Sequence, residues 1–252
     1  MKAVFLCAGY GTRLYPLTKD RPKALLLIAG EVLLTHLFRK VEQIKGIEQV
    51  ILVSNALFYH QFCQWKKTLK TSLDILVIND GTTDNEHRLG AIPDLELALK
   101  EGRSNTEILV LAGDNLFDSN LTSFVSFASQ KSPGASLGVY DVHDRELAQK
   151  YGLIKANSSG KITAFFEKPK DPPTTLASMG VYYFPKETLG YINRYLETNR
   201  NPDAPGYYVS WLAKEIEVYA FPFTGTWFDI GDLNSYHQAD QHFQFSRKER
   251  TT

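Results

Sequence analysis

Short, almost unbroken apolar runs occupy residues 3–7, 49–53, 75–78 and 108–111. Between them apolar side chains recur at spacings of three and four: Leu34, Leu37, Val41 and Ile44, then Phe58, Phe62, Trp65 and Leu69, then Leu121, Phe124, Val125 and Ala128. That period marks one face of a helix, whereas a continuous apolar run marks a strand buried on both sides. Alternation of the two predicts a parallel sheet covered on both faces, a doubly wound α/β layout of Rossmann-like kind. After about residue 132 the rhythm changes. Residues 135–142, 152–156, 162–167 and 177–184 read as strands separated by turns, with a hairpin signal in Asn157-Ser158-Ser159-Gly160. Asp171-Pro172-Pro173 is a loop, a helix is expected over 186–196, and another closes the chain after Asp232. No linker, repeat or low-complexity tract interrupts the pattern. The expectation is one domain over 1–252, with a mixed, predominantly parallel sheet whose second half, 133–252, is β-rich.

Composition narrows the chemistry. Of 252 residues, 28 are Lys or Arg and 28 are Asp or Glu, so no charge excess is available to grip a nucleic-acid backbone. Two cysteines, Cys7 and Cys63, make neither a disulfide framework nor a zinc motif, which leads to the expectation of a reducing cytoplasm. The apolar start at residues 3–8 stops at Gly9, shorter than the ~7–15 residues of a signal core. No stretch approaches the ~18 apolar residues of a membrane span, so neither membrane nor nucleic acid is expected as a partner.

In open α/β sheets ligands bind at the carboxyl ends of strands. The loop after the first strand reads Ala8-Gly9-Tyr10-Gly11-Thr12-Arg13-Leu14-Tyr15-Pro16-Leu17-Thr18, and Pro22-Lys23 follows. Two glycines let backbone N–H groups approach an anion, and Arg13 and Lys23 add cations suited to phosphate. A dinucleotide fingerprint would need a third glycine where Leu14 stands, and the Gly-x-x-x-x-Gly-Lys-Ser/Thr motif is absent. A bare glycine turn with an exposed arginine is the plainer reading of Gly-x-Gly alone.

The longer string, Gly-x-Gly-Thr-Arg-Leu-x-Pro-Leu-Thr, then three residues and Pro-Lys, closely resembles the signature of the sugar-phosphate nucleotidylyltransferases, or nucleotide-sugar pyrophosphorylases. Leu111-Ala112-Gly113-Asp114-Asn115-Leu116-Phe117 is similar to that family's metal-aspartate motif and Trp227-Phe228-Asp229-Ile230-Gly231 to its second. Phe166-Glu167-Lys168-Pro169 resembles its Glu-Lys-Pro motif, and Met179-Gly180-Val181-Tyr182 its sugar-contacting strand. Glucose-1-phosphate thymidylyltransferases are the members it resembles most. The resemblance implies that a sugar 1-phosphate is joined to a nucleoside triphosphate, dTTP or UTP first, with release of pyrophosphate. It implies nucleotide contacts at Leu6, Ala8, Gly9, Gly11, Thr12 and Arg13, with Asp80, Gly81 and Gly90 toward the base. Sugar-phosphate contacts are implied at Asn115, Tyr151, Gly152, Glu167, Lys168 and Gly180, and a Mg²⁺ ion on Asp114 and Asp229. Catalytic cations would be Arg13, Lys23 and Lys168. Residues 1–132 would be the nucleotide half and 133–252 the sugar-phosphate half. The resemblance also allows a homo-oligomer.

The residues satisfy that chemistry on their own terms. Phosphoryl-type transfer is mostly positioning and charge neutralisation. The two substrates bring roughly −6, at about −2 per terminal phosphate, against roughly +5 from one Mg²⁺ and three cations. A phosphate monoester is already ionised near neutral pH, so no general base is required. Asp114 has a rival reading as a helix cap, but Asp118 or Asn120 fits the helix near Leu121 better. Lys168, before Pro169, is expected in extended backbone. The six histidines show no ligand spacing, and Cys7 reads as a small core residue. Two departures stand out. Ala24 replaces the glutamine usual after the signature lysine, and the loop from Asn79 to Gly90 is long and polar. A metal-dependent glycosyltransferase would want a second aspartate after Asp114, where Asn115 stands. A non-catalytic nucleotide-sugar sensor would be expected to have lost some of Arg13, Lys23, Asp114, Lys168 and Asp229, all of which are present.

Overall fold

Side chains on each central strand alternate between two buried faces, and this alternation organises the molecule. Ala3 and Phe5, Val50 and Leu52, and Leu109 and Leu111 enter one core, whereas Val4, Ile51, Val53, Ile108 and Val110 enter another. The apolar runs are continuous because both faces are covered. A computed structural model of the chain describes residues 1–198 and 200–249; residues 250–252, the end of the expected domain, lie outside it.

In chain order the strands are β1 (Lys2–Leu6), β2 (Leu27–Ile28), β3 (Glu31–Val32), β4 (Gln49–Ser54), β5 (Asp74–Asn79), β6 (Ile108–Ala112) and β7 (Asn115–Phe117). They continue with β8 (Ala135–Asp141), β9 (Gly152–Ala156), β10 (Ile162–Glu167), β11 (Leu176–Phe184), β12 (Val218–Pro222) and β13 (Trp227–Asp229). The helices are α1 (Leu33–Glu42), α2 (Tyr59–Thr68), α3 (Ala91–Glu101), α4 (Leu121–Gln130), α5 (Arg145–Ala148), α6 (Gly190–Leu196), α7 (Pro205–Glu215) and α8 (Leu233–Glu249).

A nine-stranded mixed sheet runs in the order β10-β9-β11-β6-β1-β4-β5, with β8 on β11 and β12 on β8. Pairing is parallel among β6, β1, β4 and β5, and antiparallel where β11 joins β6, β8 and β9. Helices α1, α2 and α4 cover one face through Leu37, Phe62 and Phe124. Helices α3, α6 and α7 cover the other through Leu95, Tyr195 and Tyr208. A third, smaller core gathers Leu14, Leu26, Ile28, Leu116 and Ile230 against Ala239 of α8. No helix among the described residues is long and apolar enough to cross a membrane.

Local chemistry accounts for the ends of these elements. The Asn120 side chain accepts from Thr122 N at 2.7 Å and so caps α4, which frees Asp114 from that task. Asn157 Oδ1 accepts from Ser159 N and Lys161 N, which closes the β9–β10 hairpin. The helix expected over 186–196 is divided into a 3-10 turn, Lys186–Thr188, and α6, because Thr188 Oγ1 turns back to donate to Pro185 O. Helix α7 and strand β12 had no counterpart in the sequence pattern.

Gly90, the residue before α3, joins two distant loops. Ala91 N and Ile92 N donate to Asp203 O and Pro202 O at 3.2 and 3.1 Å, and Arg88 holds the Asp203 carboxylate with Nε and Nη2 at 3.0 and 2.8 Å. Gly90 has φ +101°, and a Cβ there would lie 2.8 Å from Asp203 Cα. Gly90→Ala is therefore expected to lower stability by about 1–3 kcal/mol. A thermal unfolding midpoint equal to that of the unaltered chain would show that the two loops part freely.

Candidate active site

The turn after β1 is built by Gly11, whose φ of +62° starts a 3-10 turn over Thr12–Leu14. Thr18 Oγ1 donates to Gly11 O at 2.7 Å, and the buried Leu14 anchors the turn in the small third core. Arg13, between these fixed points, points back over the strand ends. A Cβ on Gly231 would lie 3.7 Å from Arg13 Nη2 and 3.6 Å from Asp229 Oδ2, so the guanidinium and that carboxylate flank the same glycine.

Asp114 follows β6 where the end of that strand lies against β1; a Cβ on Gly113 would strike Cys7 Sγ. The next residues form β7, which pairs antiparallel with β13 and sets Asp229 opposite Asn115. Ile230 N donates to Asp114 O at 2.9 Å. Asn115 Nδ2 donates to Asp114 Oδ1 at 3.0 Å, and Asn115 Oδ1 accepts from Trp227 Nε1 at 2.6 Å. Lys23 Nζ reaches Asp114 Oδ2 at 2.7 Å. The two aspartates, 115 positions apart in sequence, thus sit on adjoining backbone segments.

Their ionisation differs. Burial opposes the charge on Asp114, yet the charge and hydrogen bond of Lys23, with Arg13 beyond, hold its carboxyl below the usual carboxylate range. Burial, and then the Asp114 charge, push Asp229 up to about 6 despite Lys23 and Arg13. Burial also pushes the Cys7 thiol up, which suits a core residue and not a nucleophile.

Two cavities meet here. One, of about 490 Å³, is lined by Leu6, Ala8, Gly9, Gly11, Thr12, Arg13, Lys23, Gly90 and Asp114. The other, of about 350 Å³, is lined by Arg13, Asn115, Tyr151, Gly152, Glu167, Lys168, Gly180 and Asp229. Arg13, Ala112, Pro205 and Gly231 belong to both.

A family model described as nucleotidyl transferase matches residues 2–245. The chain belongs to the nucleotidyl transferase family. A glucose-1-phosphate adenylyltransferase of Rhodopirellula baltica is 28% identical, over 94% of this chain and 58% of the relative. The UTP–glucose-1-phosphate uridylyltransferase AglF of Haloferax volcanii is 30% identical, over 73% of this chain and 72% of the relative. The bifunctional protein GlmU of Methanocaldococcus jannaschii is 27% identical, over 92% of this chain and 51% of the relative. The chain thus spans only about half the length of the first and third of these relatives. Among solved structures, a protein from Bacillus anthracis assigned as a glucose-1-phosphate thymidylyltransferase and crystallised with sucrose has the same fold. It superposes with a TM-score of 0.84 at 22% identity, covering 97% of this chain and 95% of that one.

Within this nucleotidyl transferase fold, most of the residues singled out from the sequence converge on the paired cavities. Two do not. Asp80 and Gly81 lie outside the lining, because Asp80 turns to Thr82, accepting from its N at 2.7 Å and its Oγ1 at 2.8 Å, while Thr82 Oγ1 accepts from Tyr10 OH at 2.9 Å. Lys168 also departs from expectation. Its φ is +44°, left-handed and not extended, because its N–H turns back to donate to Tyr151 O at 3.2 Å as β10 ends. Its ammonium lies 3.8 Å from Glu167 Oε1, and burial raises the Glu167 carboxyl while Lys168 lowers it in part. Tyr10, Arg88, Asp94 and Asp203 of the first cavity, and Phe165, Ser178 and Gly206 of the second, went unnoticed in the sequence, where nothing but position in an unassigned loop, strand or helix turn marked them.

The Asp229 shift has a measurable sign. Unfolded, the carboxyl titrates near ~4; folded, at about 6. The folded state holds the proton more tightly, so this group's contribution to stability falls as pH rises between those values, and the penalty is complete above the higher one. In a chelator, Asp229→Asn is expected to raise the unfolding temperature at about pH 7.5, with the gain shrinking toward about pH 4.5. An equal gain at both pH values would assign the effect to packing and not to charge.

Proposed function

We propose that the chain is a sugar-1-phosphate nucleotidylyltransferase: a phosphate oxygen of the sugar 1-phosphate attacks the α-phosphorus of a nucleoside triphosphate, and the α–β phosphoanhydride bond breaks to release pyrophosphate. The observation that carries this reading is the junction of the two cavities at Arg13, with Asp114 on the wall of the first and Asp229 on the wall of the second. A triphosphate in the first cavity and a phosphate in the second would meet where the cations converge. The names of the adenylyl-, uridylyl- and thymidylyltransferase relatives agree with this reaction class.

The donor set suits Mg²⁺. It prefers hard oxygens and commonly takes one or two carboxylates, leaving other positions to phosphate oxygens and water. Asp114 and Asp229 provide two carboxylates, and the cost of ionising both beside one another is a cost that a dication removes. Bound there, Mg²⁺ would neutralise phosphate charge at the α-phosphorus. Arg13, on the wall common to both cavities, would hold the departing pyrophosphate and stabilise its developing charge. Lys23 exchanges its Asp114 partner for triphosphate oxygens. Lys168 and Glu167 take the sugar 1-phosphate and its hydroxyls. Gly180, whose absent Cβ would lie 3.0 Å from Ala112 Cβ and Asn115 Nδ2, keeps the second cavity open beneath them. The attacking phosphate is ionised at neutral pH, so no residue needs to remove a proton.

A pyrophosphate-release screen with each nucleoside triphosphate, a panel of sugar 1-phosphates and Mg²⁺ tests the reaction, with pyrophosphorolysis as its reverse. Turnover is expected for at least one pair and is expected to vanish in a chelator; silence in both directions ends the proposal. Arg13→Ala is expected to lower turnover by about 10²–10³ while leaving the fold intact. Asp114→Asn and Asp229→Asn should each abolish metal-dependent turnover, and the double variant should lose no more than either alone, since groups acting on one ion are non-additive. Multiplying losses would separate the two carboxylates into independent roles.

A further inference from the structure

The Glu167 carboxylate is wedged in the wall of the second cavity. Its Oε1 lies 3.8 Å from the Lys168 ammonium, and its Oε2 lies between two glycines. On one side is Gly152, its ladder partner, where a Cβ would lie 3.1 Å from Oε2 and 2.6 Å from Phe165 Cζ. On the other is Gly206, in the first turn of α7, where a Cβ would strike Oε2 and lie 2.5 Å from Phe165 Cε1. Phe165 and Glu167 are two residues apart on β10, so ring and carboxylate share the face that these glycines meet. All four residues line the second cavity. Gly206 is helical and buried, so alanine would suit its backbone better than glycine does. Space for the Glu167 carboxylate is what glycine provides here.

Gly152 is placed by the ladder, whereas Gly206 is placed by α7 and by the segment before it. Ala91 N and Ile92 N, at the start of α3, donate to Asp203 O and Pro202 O. Arg88, in the wall of the first cavity, forks the Asp203 carboxylate with Nε and Nη2 at 3.0 and 2.8 Å. The Arg88 hydrogen bonds and charge hold the Asp203 carboxyl below the usual carboxylate range against burial, and the Lys168 charge adds to them. Asp203 therefore answers to a cation of each cavity, and Pro205 stands in both walls.

We propose that Gly206 is a positioning residue for the sugar 1-phosphate, holding the Glu167 carboxylate toward the sugar hydroxyls, and that the Arg88–Asp203 pair fixes Gly206 from the first cavity. The inference rests on reading the second cavity as the sugar-phosphate site. A carboxylate gripped on two sides is ordered before the sugar arrives, which spares the entropy of ordering it on binding. Gly206 touches no substrate in this account; it acts through Glu167.

Two measurements on the full chain test this: steady-state kinetics with the pair that releases pyrophosphate fastest, and ¹³C NMR titration of the Glu167 carboxyl without ligand. Gly206→Ala is expected to raise KM for the sugar 1-phosphate about tenfold or more, with smaller changes in kcat and in KM for the triphosphate. Arg88→Ala removes an exposed ion pair and should raise the same constant by about threefold. In a Glu167→Ala background neither substitution should raise it further, since both act through that carboxylate. Burial raises the Glu167 carboxyl, so Gly206→Ala, by pushing it toward water, should lower its titration toward the ordinary range, and Arg88→Ala should do so to a lesser extent. A residue that merely supported the fold would leave that titration where it was. Losses that multiply with Glu167→Ala, a Glu167 titration unaltered by both variants, or an Arg88→Ala effect confined to the triphosphate KM overturns the assignment. Arg88→Ala, with its own cycle and titration, decides the matter if Gly206→Ala fails to fold. The expected titration shifts without pyrophosphate release would sink the transferase reading alone. Turnover with the sugar 1-phosphate KM unaltered in both variants would sink the positioning role alone.

Discussion

Asp114 and Asp229 stand on adjoining strand ends, both half-buried, and the charge of Asp114 makes Asp229 harder to ionise. Such a pair is tolerated only where neighbours supply the missing charge. Lys23 does so directly through its 2.7 Å contact, and Arg13 does so from across Gly231. The geometry around the pair is correspondingly fixed. The buried bond from Trp227 to Asn115 joins β13 to β7, and the other end of the Asn115 amide steadies Asp114. A site prepared in this way is charged before any ligand arrives, and a polyphosphate with its metal would replace the internal ion pair instead of entering an apolar pocket.

The two cavities are coupled by more than the acid pair. The segment from 202 to 206 is held by α3 at one end through the Pro202 and Asp203 carbonyls and by Arg88 through the Asp203 carboxylate. Its other end, Gly206 at the start of α7, presses so closely on Phe165 and Glu167 that a Cβ would strike both. Pro205 lies in the walls of both cavities. One short stretch of chain therefore touches the start of α3 beside one cavity and the Glu167 carboxylate of the other.

What was legible in the sequence follows from how much each segment depends on distant contacts. Strands β1, β4 and β6 are buried on both faces, so their apolar runs could be read without knowledge of the rest. The loop from Gly9 to Lys23 was legible through its longer string, which resembles a family signature, whereas Gly-x-Gly alone reads as a turn. Helix α7 was not. Tyr207, Tyr208, Val209 and Trp211 have strand-like character, Pro205 at the first turn and Leu212-Ala213-Lys214-Glu215 at the end favour a helix, and tertiary packing on β10 accompanies the helical outcome. Strands β7 and β13 are three residues each and exist only because each pairs with the other. The turn of Asp80 toward Thr82 was not legible, because an aspartate in a polar loop has no pattern to show it. Asp94 was missed for the opposite reason: an acid in the first turn of a helix is ordinary, and only the absence of a partner for its Oδ1 sets it apart.

Lys168 shows the same dependence at the level of one dihedral. A non-glycine residue at φ +44° bears strain of about 1–3 kcal/mol, and a glycine would adopt that backbone without it. The conformation persists because both sides hold it. Glu167 is paired with Gly152 in the β9–β10 ladder, Lys168 N–H is bonded to Tyr151 O, and Pro169 follows with its own φ fixed. Those constraints turn the strand at its last residue and leave the lysine side chain at the second cavity, more than half exposed and within reach of the Glu167 carboxylate. A lysine in ordinary extended backbone would continue the strand and carry its charge along the sheet edge. Strain at this position is thus tied to the placement of a cation at the cavity wall.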